Sequence, residues 1–498
     1  MPRHLYRKPR TLTLPTLWTI LFAVLLTLPV RAELPPGDIG SQAVLQGRIE
    51  ARIAEAGLGD AIGISVLNLQ SGRSIVGHNA TLPLNPASNM KLITAAVAML
   101  ELGPDFQMRT GLYGRQTGDA IEGGLYIRGF GDPDLRSADL IAMAQELVAR
   151  GIRKVDQVLV DGSYFDDQIL PPAFDQQPDE VSPFRAAIAA VSVNRSAYTM
   201  RVRPGASAGD AARVAVDAEG YFEISNRMTT SDGGPLNVIA AQGAQGDKDD
   251  KMSLRLSGKV PLGIAGASYT RRVESPLHYS GHVLVEALKA LRIQVPRTVK
   301  ILPTPRGAAL LASRRSAPLG QLLSALGKNS DNFVAEMTLK VLAAEKVGLP
   351  GRSEAGAKHV LEVLGKLGLP IANIQIKNGS GLFEGNRVAA SHLTKLLAAV
   401  HADPSIYSDY LAHLAVGGVD GTLSRRFKQL PAPRIVRAKT GTLADVIALS
   451  GYVLGPTSER TVAFSILLNG VRGKHHAARS LADEIVGDIA LHLHAKAK

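Results

Sequence analysis

The sequence contains no cysteine. That absence excludes disulfide staples, thiolate metal sites and a cysteine nucleophile, so any covalent catalysis must fall to Ser, Thr, Lys or a carboxylate. Tryptophan is nearly missing as well, and the single one, Trp18, lies in the first 32 residues. No block of Lys or Arg stands out, although the chain carries 56 basic against 44 acidic side chains. Five of those basic residues and none of the acids fall within residues 1–32, which leaves 51 against 44, or +7, for the remainder. A mild excess spread over so long a chain argues for solubility and against nucleic-acid binding. Long apolar runs are also scarce. The one at the N-terminus, LWTILFAVLLTLPV (17–30), follows Arg3, Arg7, Lys8 and Arg10 and falls short of the ~20 residues a spanning helix needs. It reads as an export signal over residues 1–32, with no transmembrane segment expected in the mature chain.

What is present is the composition of a folded protein: 45% hydrophobic and 20% charged residues, with 49 Gly and 28 Pro among 498 residues. A chain that long exceeds one core, so at least two domains are expected. SQAVLQGRIEARIAEAG (41–57) has helical spacing, and AIGISVLNLQSGRSIVGHN (61–79) reads as a strand, a Ser-Gly turn and a strand. A helix follows from about Asn89 to Leu100. From Phe106 to Leu302 the texture becomes short strands punctuated by Gly, Pro and Asp, with helical patches near 138–151 and 281–292. QGDKDDK (245–251) has the acidity of a calcium loop but no ligand spacing, and reads as a solvated turn. From Leu319 two helices are broken at 328–332, three strands follow at 434–441, 447–455 and 461–470, and an amphipathic helix closes the chain. The two ends therefore form one α/β domain around an antiparallel sheet, with a mostly β region inserted between them.

Three short motifs could carry chemistry. In NPASNMKLIT (85–94), Ser88 and Lys91 stand three apart at the mouth of an apolar helix, so hydroxyl and amine share a face. Burial lowers a lysine's pKa, and a neutral amine beside a hydroxyl is a general base poised to make an alkoxide. Ser330-Asp331-Asn332 sits in the break between two helices, where a hydroxyl and a carboxamide can face a cleft. Lys439-Thr440-Gly441, followed by Thr442, ends a strand; its glycine admits a ligand close to the backbone and its lysine offers a cation to a carboxylate. Each triplet alone reads more economically as a cap or a turn. Together, and in this order, they form the S-x-x-K, S-D-N, K-T-G set of serine acyl-transfer enzymes. His475-His476 and the terminal HLHAKAK lack a carboxylate at ligand spacing and read as surface residues, with no metal and no cofactor expected.

Ser88 and Ser330 are separated by 242 residues, and Ser330 and Lys439 by 109. With that long insertion after the first motif, the sequence resembles the D-alanyl-D-alanine carboxypeptidase/endopeptidase family, the low-molecular-mass class C penicillin-binding proteins. GFGDPDL (129–135), VDGSYF (160–165), AAVSVNRSAY (189–198), GSGL (379–382), GGVDGTL (417–423) and AKTGTL (438–443) fit the same family. NGSGLFEGNR (378–387) departs from it, since the family usually has Asp before the first Gly and Ser-Arg after Leu. The resemblance implies a penicillin-binding/β-lactamase-like transpeptidase domain, an α/β fold with helices on both sides of an antiparallel sheet. That domain is expected at 33–103 plus 308–498, interrupted by a mostly β insertion at 104–307 that forms one or two subdomains.

It further implies a periplasmic enzyme acting on peptidoglycan stem peptides and inhibited covalently by β-lactams. Ser88 would attack the D-Ala-D-Ala carbonyl, Lys91 would take its proton and Ser330 would relay a proton to the leaving amine. Asn332 would hold the substrate amide, and Lys439 and Thr440, beside Gly441, would face the terminal carboxylate. The backbone N–H groups of Ser88 and Thr442 would form the oxyanion hole. Asp161 matches a position that in relatives contacts the amino end of the diaminopimelate side chain. A β-lactamase or esterase on the same fold and a non-catalytic cell-wall binding protein remain as alternatives.

Overall fold

A computed structural model describes residues 41–244 and 250–495. The expected export signal over 1–32, with Trp18, lies outside those residues.

The first helix, Gln42–Ala56, starts where Ser41 Oγ accepts the Val44 N–H at 3.3 Å and stops at Gly57, whose φ of +56° suits a residue without Cβ. It leads into the hairpin Ile62–Asn68 and Ser74–His78. The chain returns to this hairpin near its other end: Val462–Asn469 pairs antiparallel with Ile62–Asn68, setting Ile64 opposite Ile466. The sheet order is Ala415–Val416, Val436–Leu443, Val446–Val453, Val462–Asn469, Ile62–Asn68, Ser74–His78. Both ends of the chain thus share one antiparallel sheet, as their similar texture predicts.

Alternation along the central strands decides what covers each face. Ala448, Tyr452, Ala463 and Leu467 point into a core shared with helices Met90–Leu102, Asn332–Lys346 and Ala390–Ala402. Ile447, Leu449, Phe464 and Ile466 point the other way, against the first helix and His475–His494. Every residue of Val446–Val453 is buried, so the strand reads as a continuous apolar run. The closing helix lies on the sheet, with Ile485 and Ile489 fully buried. Among the described residues, no helix is long and apolar enough to cross a membrane.

The intervening chain forms three further sheets around a core of its own. In the largest, the strands run Val299–Ile301, Val158–Asp161, Ala120–Gly129, Arg109–Thr117, Ala309–Arg315, and Lys154–Val155 pairs with Ala120–Gly129. Two three-stranded sheets complete it, one of Asn237–Ala244, Met252–Pro261 and Phe222–Ser231, the other of Ala267–Arg272, Ala197–Arg203 and Arg213–Val216. The helical patches appear as Ser137–Ala149 and Pro276–Ala290. The reading of 245–251 as a solvated turn needs one amendment: Asp250 accepts the Val299 N–H at 2.8 Å and meets His282 Nε2 at 3.1 Å, so this carboxylate anchors the loop, while 245–249 lie outside the described residues.

Helix Asn332–Lys346 joins this region to the sheet domain. Lys340, 1% exposed, donates to Asp166 Oδ1 at 2.5 Å and to the Gln168 carbonyl at 2.7 Å. Tyr164 Oη donates to Glu345 at 2.6 Å. Arg195 pairs with Asp331, and Asn332 Nδ2 donates to the Phe184 carbonyl at 3.0 Å. A buried ammonium is tolerated only when paired and hydrogen-bonded, so Lys340 specifies how the inserted chain seats on this helix.

Candidate active site

The turn before Ser88 is bracketed by two amides. Asn85 N–H donates to Asn469 Oδ1 at 2.9 Å, Asn469 Nδ2 returns a bond to the Asn85 carbonyl at 3.1 Å, and Asn85 Oδ1 accepts the Ala87 N–H at 2.9 Å. Ala87 is bent to a φ of +45°, and its carbonyl lies so close to Gly381 that a Cβ there would sit 1.8 Å from it. A short 3-10 turn, Ala87–Asn89, then runs directly into helix Met90–Leu102. Ser88 is therefore held at a helix N-terminus, where the dipole favours negative charge.

Lys91 follows on the same face and is 0% exposed. Its Nζ donates to Ser88 Oγ at 3.0 Å, to Asn332 Oδ1 at 2.7 Å and to the Ser380 carbonyl at 2.6 Å. Burial lowers its pKa from 10.5 to about 7, against the opposing pull of Glu336 and Asp331. A displacement of that size is worth about 5 kcal/mol; the ammonium donates all three bonds, and the neutral amine keeps two donors and turns its lone pair to the Ser88 hydroxyl.

The second motif occupies the break between helices Leu319–Lys328 and Asn332–Lys346. Ser330 adopts a φ of +61°, and Asp331 caps the second helix by accepting the Val334 N–H at 3.1 Å. Strand Val436–Leu443 supplies the third. Lys439, 0% exposed, donates to Ser330 Oγ at 2.8 Å and to the Thr440 carbonyl at 2.6 Å. Burial, and then the neighbouring Lys91, hold its pKa well below the usual lysine range. Thr440 Oγ1 donates to Thr422 Oγ1 at 3.0 Å. Gly441 presses on the serine turn, since a Cβ there would lie 3.0 Å from the Pro86 carbonyl. Thr442 is exposed.

The three motifs are thus brought into one hydrogen-bonded set, with Lys91 bridging Ser88 to Asn332 and Lys439 reaching Ser330. Ala415–Val416 pairs only with Ala438 and Arg437, so the edge of the strand continues past its neighbour from Lys439 to Leu443. Asp161 stands apart. It is 1% exposed and accepts from Ser163 N–H at 3.0 Å, Ser163 Oγ at 2.6 Å and Thr304 N–H at 2.8 Å, with Arg128 Nε at 3.4 Å. All of these partners belong to the inserted region.

Sequence reading missed two contributors, Glu336 and Arg195, and marked a third, Asn378, only as a departure from the family pattern. Glu336 is 1% exposed and accepts the N–H groups of Gly379 (3.1 Å) and Ser380 (2.7 Å), fixing the loop whose carbonyl meets Lys91. Arg195 reaches Asp331 from the inserted region, and Asn378 closes its own loop by accepting the Gly381 N–H at 2.9 Å. Asn378 also donates through Nδ2 to the carbonyls of Pro172 and Leu382 at 3.0 Å. An aspartate there would lack those two donors, a local reason for the amide at this position. A signal for Glu336 existed: Asn332, Glu336 and Lys340 step by four along one face of a helix whose first thirteen residues are otherwise apolar but for Thr338.

A family model described as D-Ala-D-Ala carboxypeptidase 3 (S13) matches residues 45–489. The chain is 33% identical over 483 residues to a D-alanyl-D-alanine carboxypeptidase of Actinomadura sp. (strain R39), a match that covers 91% of this chain and 87% of that one. It is 27% identical to the D-alanyl-D-alanine carboxypeptidase DacB of Haemophilus influenzae, covering 83% and 86%. Penicillin binding protein 4 (dacB) from Haemophilus influenzae shares the fold with a TM-score of 0.72 at 24% identity, over 88% of this chain and 99% of that one; a complex of it with a β-lactam gives 0.71 at 23% identity, over 89% and 99%.

Proposed function

The chain belongs to the D-Ala-D-Ala carboxypeptidase 3 (S13) family and is a serine-type DD-peptidase; from that premise we propose that Ser88 is its nucleophile and Lys91 its general base. The observation that carries this reading is the buried Lys91, with its pKa near 7 and its Nζ 3.0 Å from Ser88 Oγ. Lys91 takes the hydroxyl proton as Ser88 Oγ bonds to the D-Ala-D-Ala carbonyl. The tetrahedral oxyanion is received by the N–H groups of Ser88 and Thr442. Collapse expels the terminal amine, to which Ser330 relays a proton, and leaves an ester on Ser88. Water, activated by the same base, then hydrolyses that ester and restores the serine.

Asn332 holds the substrate amide, and Lys439, Thr440 and Gly441 receive the terminal carboxylate. An arriving carboxylate raises the pKa of Lys439, and the positive charge it stabilises there pushes Lys91 further toward neutrality. Residues 33–103 and 308–498 act as the catalytic domain, apart from strand Ala309–Arg315, which pairs into the sheet of the 104–307 insert that walls the cleft. The enzyme works in the periplasm on peptidoglycan stem peptides, and β-lactams acylate the same serine. Support for that last point comes from the β-lactam complex of the Haemophilus influenzae protein and from a relative in Dictyostelium discoideum named a penicillin-sensitive carboxypeptidase.

Incubation of the mature protein with a fluorescent penicillin, followed by mass measurement, tests this directly. One stable adduct on Ser88, absent from a folded Ser88→Ala variant, is expected; a folded wild type that takes no label overturns the mechanism. Cross-linked and uncross-linked muropeptides then show whether the leaving amine is a cross-linking side chain or a free D-Ala. In the same panel Asp161→Asn raises KM only for peptides with a free side-chain amine if Asp161 reads that group.

A further inference from the structure

Glu336 is the most deeply buried acid near the site, and nothing in the mechanism above uses it. It lies one helical turn after Asn332, with each carboxylate oxygen accepting a different backbone N–H, Oε2 from Gly379 and Oε1 from Ser380. Hydrogen bonds accepted at both oxygens favour the ionised form against the burial that raises its pKa. The peptide it grips is the one whose carbonyl accepts from Lys91 Nζ at 2.6 Å, and Thr94 Oγ1 holds the preceding Gly379 carbonyl at 2.7 Å. We propose that Glu336 is a positioning residue that acts through Lys91: its charge sets the basicity of the amine, and its two hydrogen bonds aim the Ser380 carbonyl that orients it.

The inference rests on the reading of Lys91 as the base. Several groups face that amine. Ser88 lies on its own turn, and Asp331, Asn332 and Glu336 come from the adjoining helix. The Ser380 carbonyl comes from the 378–381 loop, and Lys439 from the neighbouring strand. Burial drives Lys91 toward neutrality. Glu336 exerts the larger of the two opposing carboxylate pulls and Asp331 the smaller, and Asp331 is already engaged by Arg195. Burial also raises the pKa of Glu336 itself, while the two backbone donors draw it down. An amine left with burial and a neighbouring cation but without this anion would be too weak a base to deprotonate a serine.

The test is the pH dependence of Ser88 acylation by a chromogenic β-lactam in wild type, Glu336→Gln and Glu336→Asp. Removing the charge makes protonated Lys91 less favourable, so the acid limb in Glu336→Gln moves down by about 1–2 pH units. The plateau rate falls with it, by about 10-fold or more, because a weaker base accepts the proton. Glu336→Asp keeps the charge on a shorter arm, so its limb stays within a few tenths of a unit of wild type while its plateau drops. A purely structural role lowers the plateau and leaves both limbs in place, and that result overturns the proposal. Should Glu336→Gln not fold, Glu336→Met, of similar volume and without the charge, takes its place, and an acid limb that stays at the wild-type pH in that folded variant overturns the proposal. A wild type without any acylation refutes the reading of the site instead, so the two failures are distinguishable.

Discussion

Lys91 must be basic enough to take a serine proton yet neutral enough to be empty when substrate arrives. Water would hold it protonated; 0% exposure removes the water and brings its pKa down to about 7. The sign of the pH effect follows. The base works only when unprotonated, so the acylation rate rises through about pH 7 to a plateau and falls about tenfold per unit below it. Stopped-flow acylation between about pH 5 and 9 checks this, and a rate that is flat through neutrality excludes Lys91 as the base. At this scale the sequence was informative where the chemistry is encoded at fixed spacing. Ser88 and Lys91 three apart, with apolar residues such as Leu92, Ile93 and Val97 after them, already imply a dried amine beside a hydroxyl. The step of four from Asn332 marks Glu336, but its role was hidden because its partners, Gly379 and Ser380, are backbone groups more than forty residues away, and a backbone N–H leaves no trace in sequence.

Helix Asn332–Lys346 is where the inserted region gains a hold on catalysis. Its start carries Asp331 and Asn332, and each is tied to the insert, Asp331 by Arg195 and Asn332 by the Phe184 carbonyl. Arg195 reaches across because Asn194, Arg195 and Ser196 all adopt positive φ (51°, 63° and 52°), a strained turn that lifts its side chain over Phe333. Arg195→Ala frees the Asp331 cap and lets Ser330 and Asn332 drift. The pair is partly exposed, so the expected effect is about 1 kcal/mol, or roughly a fivefold loss in acylation rate, with part recovered in Arg195→Lys. Melting temperature should change little. A rate equal to wild type in Arg195→Ala means the cap alone holds the motif. The helix, strand and break positions were legible from periodicity: the break at 328–332, the three strands after 434 and the closing helix appear where the pattern puts them. The left-handed turn at 194–196 was not, because none of its residues is the glycine that normally marks positive φ.

For the whole molecule, the question is what keeps a sheet together when its outer parts lie at opposite ends of the chain. Apolar packing does much of it, through Leu45 and Ile49 of the first helix and Ile485 and Ile489 of the last. A buried charge cluster adds direction. Asp488, 2% exposed, pairs with Arg52 and with Arg48 (3.1 Å), and Arg52 also reaches Glu484 at 2.7 Å. The Arg52–Asp488 pair alone spans 436 residues of chain, so closure of the cluster is among the contacts of longest sequence separation and carries a large entropic cost that the sheet must offset. Removing one partner of such a cluster leaves the other charges uncompensated away from water, which costs more than the pairing itself contributes. Asp488→Asn is therefore expected to destabilise the fold by about 3 kcal/mol, read as a lower thermal midpoint. Penicillin acylation measured well below that midpoint should stay at the wild-type rate, because the cluster lies on the face of the sheet opposite helix Met90–Leu102. An unchanged midpoint would show that apolar contacts alone join the two ends. A lost acylation rate in a fully folded sample would show that the far face of the sheet communicates with Ser88 through strand Val436–Leu443.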